Sequence, residues 1–311
     1  MANQGPLSRS LHFHHASAFG VAGQIDRPEK QTIPTQAAIA LAPTGGKGSH
    51  RVENYRVPGV LSFSAAYVEV GGSLDERNDA HTTYASSVIE NLNICDVVTA
   101  DRVVSRLTIY LPAKPEGTGN KSEKPAKSKR KSKSDSRIEE FNPEPSFSIS
   151  GSHFKNLRVA GHQIDIKLAA GTFQKYDTYS KFANAADAGD WLVGTNIDID
   201  DLDPGDHNRN VLAEIQTRLN HWQNRTQHHD KAFWCSPIAH ADLQGLVVNS
   251  ELRSFGGLLC VPRFGVLYLA ELRIHRSHRH FNMIRVQMCS PADGGITGGG
   301  TGGGGTGMPP P

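Results

Sequence analysis

Fifteen histidines are spread over the 311 residues, and two groups of them have spacings that bring imidazoles together. His12 and His14 alternate, so on an extended strand they share a face, with His15 on the opposite one. His275, His278 and His280 crowd the segment HRSHRH, interleaved with Arg276 and Arg279. Neutral imidazoles bind zinc or another transition metal, and unperturbed ones titrate near pH ~6.5, so each group is a candidate metal site or pH sensor. The two arginines of the second group oppose a cation there.

Lys121, Lys124, Lys127, Lys129, Arg130, Lys131 and Lys133 all fall in one short run, KSEKPAKSKRKSK. Clustered cations displace counterions from nucleic-acid phosphates or an anionic membrane surface, so this run is a candidate anion-binding segment. No aromatic side chain interleaves the cations, which leaves base stacking unsupported. The formal charge of the whole chain is only +2, so any such field is local. Asp198, Asp200, Asp201, Asp203 and Asp206 offer oxygen ligands of the kind calcium takes, but their spacing departs from the EF-hand pattern. They stand just before a helical pattern, where negative charge suits a helix N-terminus. The stretch Thr44–Ser49, TGGKGS, lacks the first glycine and the Ser or Thr that a phosphate loop needs after its lysine. Neither G-x-S-x-G nor H-E-x-x-H occurs. The reading expects no cofactor and favours a non-catalytic role. Tyr55, Leu61, Phe63 and Tyr67 either line a groove or belong to a β core.

The elements that would position these groups read as β. Four octets align: Ala16–Gly23, Val52–Gly59, Ile89–Asp96 and Phe154–Gly161. They begin 36, 37 and 65 residues apart, and removing the 29-residue segment Ala113–Phe141 brings the last interval to 36. The simplest account is a unit of about 36 residues with a lysine-rich loop inserted in its third copy. A weaker fifth copy is Gly194–Asp201. Within the octet the first apolar position has the opposite parity to the fourth and sixth, so a bend near the third position is required to keep all three on one face. Asn54, Asn91 and Asn156 occupy that third position. Asparagine tolerates the left-handed conformation of a bend, and it also hydrogen-bonds to neighbouring chain, and both roles remain open. Strand-like runs follow each octet, at Thr35–Ala42, Val60–Val70, Val97–Tyr110 and Gln163–Phe173.

Past the repeats, Val211, Leu212, Ile215, Leu219 and Trp222 predict an amphipathic helix within Asp206–Asp230. Strands are expected near Leu243–Asn249, Gly257–Val261, Val266–Ile274 and Phe281–Cys289, the last two as a hairpin around HRSHRH. From Gly294 the chain is so rich in glycine that it reads as a flexible tail.

The segment Ser86–Leu107 carries Val88, Leu92, Ile94, Val98, Thr99, Ala100, Asp101 and Val103 in the order apolar–x–x–x–Leu–x–apolar, then apolar–Thr–Ala–Asp–x–Val. Over these 22 residues the chain resembles bacterial surface proteins of the choice-of-anchor type. The resemblance implies an extracellular β-rich module and assigns no functional residue.

Cys95, Cys235, Cys260 and Cys289 show neither C-x-x-C nor zinc-finger spacing and are expected to be buried thiols. No apolar run of signal-peptide or transmembrane length occurs, so a cytoplasmic location is the default expectation, with export left open. The reading is therefore a mainly β protein. Its repeated body spans 10–112 and 142–202 and forms a sandwich or barrel, or alternatively a solenoid. A disordered loop occupies 113–141, a helix with a β-hairpin segment packs on the body at 203–290, and a flexible tail covers 291–311. The expected function is structural or protein-interacting, with a protein partner or self-association. The alternatives are anion binding through the lysines and a metal-dependent role for the histidines.

Overall fold

The computed structural model describes residues 11–27, 30–75, 80–112, 144–186, 233–238, 252–255, 257–289 and 293–308. Sequence stretches rich in alternating β-branched and aromatic residues become long antiparallel strands: β1 (Leu11–Arg27), β2 (Gln31–Gln36), β3 (Ile39–Ala40), β4 (Gly46–Val57), β5 (Leu61–Asp75), β6 (Ala80–Ile94) and β7 (Val98–Pro112). Shorter elements follow: β8 (Ser146–Ser148), β9 (His153–Lys155), β10 (Leu157–Val159), β11 (His162–Ile164), α1 (Ala170–Phe173), α2 (Tyr179–Ala186), β12 (Phe233–Cys235), β13 (Arg253–Phe255) and β14 (Leu258–Val261). The chain ends in β15 (Gly265–Ile274), β16 (His278–Cys289) and β17 (Asp293–Met308).

Two sheets face each other across one apolar core, and neither closes into a barrel. The first has the order β13-β14-β15-β16-β17-β1-β2, with β12 beside β15 and β3 beside β1. The second has the order β11-β10-β7-β6-β5-β4, with β8 and β9 beside β7. The architecture is a sandwich rather than a stack of coils. The division of the chain expected from sequence is corrected by the pairing of β1 with β17. The first octet does not share a sheet with the other three; it joins the C-terminal strands, while the middle of the chain builds the opposite sheet. The expected hairpin is present as β15 and β16, turning at His275–Ser277. The helix expected within Asp206–Asp230, the strand near Leu243–Asn249, the fifth octet copy and the loop at 113–141 lie outside the described residues.

The glycine-rich segment is the largest correction. It is a strand with neighbours on both sides, β1 and β16, and so sits inside its sheet. Glycine contributes no side chain to a core, but its backbone fills a ladder as well as any other, and its missing Cβ lets the facing sheet come close. A Cβ at Gly303 would stand 2.9 Å from Ile109 Cδ1, and one at Gly298 would stand 3.2 Å from Ile89 Cδ1. The apolar surface here is therefore supplied by β6 and β7. Two hydrogen bonds cross between the sheets at the same place: Ser87 Oγ donates to Phe19 O at 2.8 Å, and Ser105 Oγ meets Thr301 Oγ1 at 2.9 Å. They satisfy hydroxyls that would otherwise be costly to bury.

The three asparagines explain the opposed parities of the octet. Asn54, Asn91 and Asn156 each have φ 52°, in the left-handed region. The flanking register places them in one row with Ser64 and Asp101, in the order Asn54, Ser64, Asn91, Asp101, Asn156. Every second strand in the row carries the left-handed residue. The other sheet repeats the arrangement, with Ala37, Gly299 and Ala270 left-handed and Gly20 and Met283 between them. Burial parity flips at the row: β6 buries Ala85, Ser87 and Ile89 before it and Leu92 and Ile94 after it. The hydrogen-bonding role holds as well. Asn91 Nδ2 donates to Ser64 Oγ at 2.9 Å, and Asn156 Nδ2 donates to Asp101 Oδ2 at 2.6 Å. The first octet does not share this geometry, since its row residue is Gly20 rather than Ala18, and neither has positive φ.

Candidate functional site

β1 carries His12 and His14 on one face, as their spacing requires, and β6 of the facing sheet brings a third imidazole, His81, to them. One nitrogen from each ring lies within 4.8 Å of the others. The rings of His12 and His81 stack with centroids 4.0 Å apart, and His14 stands edge-on to His12 at 4.6 Å. His14 is buried, and its Nδ1 meets Thr83 Oγ1 at 2.8 Å. Its tautomer with Nδ1–H donating leaves Nε2 as a free lone pair, the arrangement that orients a metal-binding histidine. Two glycines make the space: a Cβ at Gly72 would stand 2.7 Å from the His14 ring, and one at Gly45 would stand 3.1 Å from it. Burial, then the neighbouring His81, His14 and His15, push His12 down to about 4. Burial, then His81 and His15, lower His14 too. Both rings are thus neutral and able to donate lone pairs at neutral pH. His12 Nδ1 has no hydrogen-bond partner among the described residues.

The second histidine group does not converge in this way. His278 Nε2 and His280 Nε2 approach to 2.6 Å on one face of β16, but no third His, Cys, Asp or Glu among the described residues completes a ligand set with them. His275 sits at the turn, with its backbone N donating to His278 O. Between the two rings Arg279 points into the core, where its Nη1 and Nη2 donate to Arg276 O and Pro145 O. Among the described residues the group whose ligand atoms all converge is thus His12, His14 and His81, and His275, His278 and His280 do not form such a group. The candidate anion-binding residues Lys121, Lys124, Lys127, Lys129, Arg130, Lys131 and Lys133 lie outside the described residues, as do Asp198–Asp206.

Of the groove candidates, Tyr55, Leu61 and Phe63 line a pocket of about 430 Å³ with Asn54, Asn91, Asn93 and Asp96. Tyr55 and Phe63 stack at 5.3 Å. Tyr67 is elsewhere, accepting a hydrogen bond from Arg102 Nη2 at 2.6 Å.

His81 was not singled out from sequence, because the packing of β1 over β6 of the facing sheet is a matter of tertiary fold. The same holds for Glu271, which is 2% exposed and bound by Arg285 Nε at 2.8 Å and Arg273 Nη2 at 2.7 Å. Burial works to raise its pKa, and the charges and hydrogen bonds of Arg285 and Arg273 outweigh it and hold the carboxyl low. Arg285 also stacks 3.4 Å over the Tyr268 ring.

The sheet ends differ sharply. β11 and β13 have three residues each, and β2 is interrupted by Pro34, which has no N–H to donate. β4 is 12 residues long, contains no proline, pairs among the described residues only with β5, and is exposed or half-exposed over all but Val57.

A family model matches the chain over residues 12–121 and 136–275. The chain belongs to the family described as a domain of unknown function, DUF8256. The matched stretches of this DUF8256 chain include His12, His14, His81 and all of β4. The interruption at 122–135 falls on the lysine-rich run. None of the curated proteins or solved structures matches the chain. Among the described residues, no helix is long and apolar enough to cross a membrane.

Proposed function

We propose that this chain is a structural β module that pairs with a second copy of itself along the open edge of β4. The observation that carries the proposal is the contrast among the four sheet ends formed by the described residues, of which β4 alone is both long and free of proline. An unpaired strand edge is a template for another strand, and proteins ordinarily blunt it by shortness, proline or charge. The charges on β4 do not defend it against its own copy. Arg51 and Glu53 are both exposed, at 62% and 56%, and stand on one face with Arg51 Nη2 2.7 Å from Glu53 Oε1. An antiparallel pair about a two-fold axis at Val52 sets each Arg51 opposite Glu53 of the second copy, so opposite charges face each other twice. One such edge among the described residues of each chain closes into a dimer rather than a filament.

The test is light scattering during size-exclusion chromatography across a concentration series at low and high salt. The wild-type chain is expected to dimerise, more weakly at high salt. Arg51→Glu puts like charges opposite each other at an exposed position and is expected to weaken the dimer tenfold or more. A wild-type monomer at every concentration, or a dimer indifferent to this substitution, would refute the proposal.

A further inference from the structure

We infer that His12, His14 and His81 form a binding site for a single divalent transition metal of the zinc class, a site that clips the two sheets together at one end of the sandwich. The three imidazoles come from strands of opposite sheets, β1 and β6, so one ion bound by all of them spans the core boundary. Zinc–nitrogen bonds of about 2.0–2.1 Å place tetrahedral ligand atoms about 3.3 Å apart. Ligand atoms already within 4.8 Å therefore close on an ion through ring movements of roughly 1 Å. The supporting groups are in place. Thr83 holds the far nitrogen of His14, and the absence of side chains at Gly45 and Gly72 leaves the room that ring occupies. His12 Nδ1 has no competing hydrogen bond among the described residues. Among the described residues no carboxylate enters the set, so the ligands are borderline-soft nitrogens, which select zinc, nickel or copper over magnesium and calcium. Three protein ligands leave a fourth position for water or another small ligand.

The experiment is calorimetric titration of the untagged, chelator-treated full chain with zinc chloride, and in parallel with cobalt chloride followed by visible absorption. One equivalent of zinc is expected to bind, with the cobalt spectrum showing the intense bands of a tetrahedral nitrogen site. His81→Ala and His12→Ala, both at half-exposed positions, should each weaken zinc binding by about a hundredfold while leaving the far-ultraviolet dichroism unchanged. Thr83→Val should weaken it by about tenfold, as loss of an orienting hydrogen bond does. The double variant His278→Ala/His280→Ala is expected to bind zinc as the wild type does. Failure of the wild type to bind zinc at tens of micromolar would overturn the inference. So would a His81→Ala chain that binds undiminished, or loss of binding in the His278/His280 variant alone. The dimer proposed above is scored by mass, and neither result depends on the other.

Discussion

Substitution at Asn91 separates the two roles that its position in the octet left open. Its φ of 52° is a conformation that costs an ordinary L-residue about 1–2 kcal/mol and glycine nothing. Its side chain donates one exposed hydrogen bond to Ser64, worth about 0.5–1 kcal/mol. Asn91→Gly loses the hydrogen bond and gains chain entropy on unfolding, for a cost of about 1–2 kcal/mol. Asn91→Ala loses the same hydrogen bond and takes on the left-handed strain, for a cost of about 1.5–3 kcal/mol. In an ordinary strand alanine is more stabilising than glycine by about 0.5–1 kcal/mol, so the expected order at Asn91 is inverted. Ser64 is the internal control: it stands in the same row without positive φ, and Ser64→Ala should be more stable than Ser64→Gly. Equilibrium urea denaturation of the four variants reads both orders, and the double variant Ser64→Ala/Asn91→Ala isolates the hydrogen bond as a coupling energy. An Asn91→Ala chain more stable than Asn91→Gly would refute the left-handed row as the reason for asparagine.

Other predictions follow from the core. Gly23→Ala places a Cβ 2.6 Å from Gly295 O, a backbone atom that cannot swing aside, and should lower the thermal midpoint by several degrees. Removing Asp293–Met308 strips a central strand from its sheet and should abolish cooperative thermal unfolding. Glu271→Ala leaves two arginines without their carboxylate and should cost about 3–5 kcal/mol in chemical denaturation, among the largest single losses in the molecule. Because Glu271 titrates lower in the folded chain than in the unfolded one, its contribution is present above the ordinary carboxylate range and is lost as pH falls through its folded value. Glu271→Gln should flatten that part of the acid limb of the stability–pH profile. Cys235 is fully buried and burial pushes its thiol up, so it should resist a thiol reagent in the native state and react fully in denaturant.

Local chemistry made some of this architecture legible. Alternating β-branched residues marked the strands, and the apolar runs on either side of HRSHRH marked the hairpin of β15 and β16. The opposed parities within the octet demanded a bend at Asn54, Asn91 and Asn156, and the left-handed φ values supply it. What escaped was whatever depends on one sheet facing another. Gly294–Gly307 has no hydrophobic pattern of its own, because the side chains that pack against it, Ile89 and Ile109, belong to β6 and β7. His12 and His14 were recognisable as a pair, yet their third member lies 67 residues beyond His14 and reaches them only across the sandwich. The open edge of β4 is invisible in sequence for the same reason, since which strand ends a sheet is settled by the order of all the others.

Self-pairing through β4 is tested most directly by mixing two chains that cannot pair alone. Arg51→Glu carries only acidic residues at the two facing positions, and Glu53→Arg carries only basic ones. Sedimentation equilibrium should show each as a monomer and their equimolar mixture as a one-to-one dimer of the wild-type mass class. A mixture that stays monomeric, or two variants that each dimerise alone, would contradict the pairing.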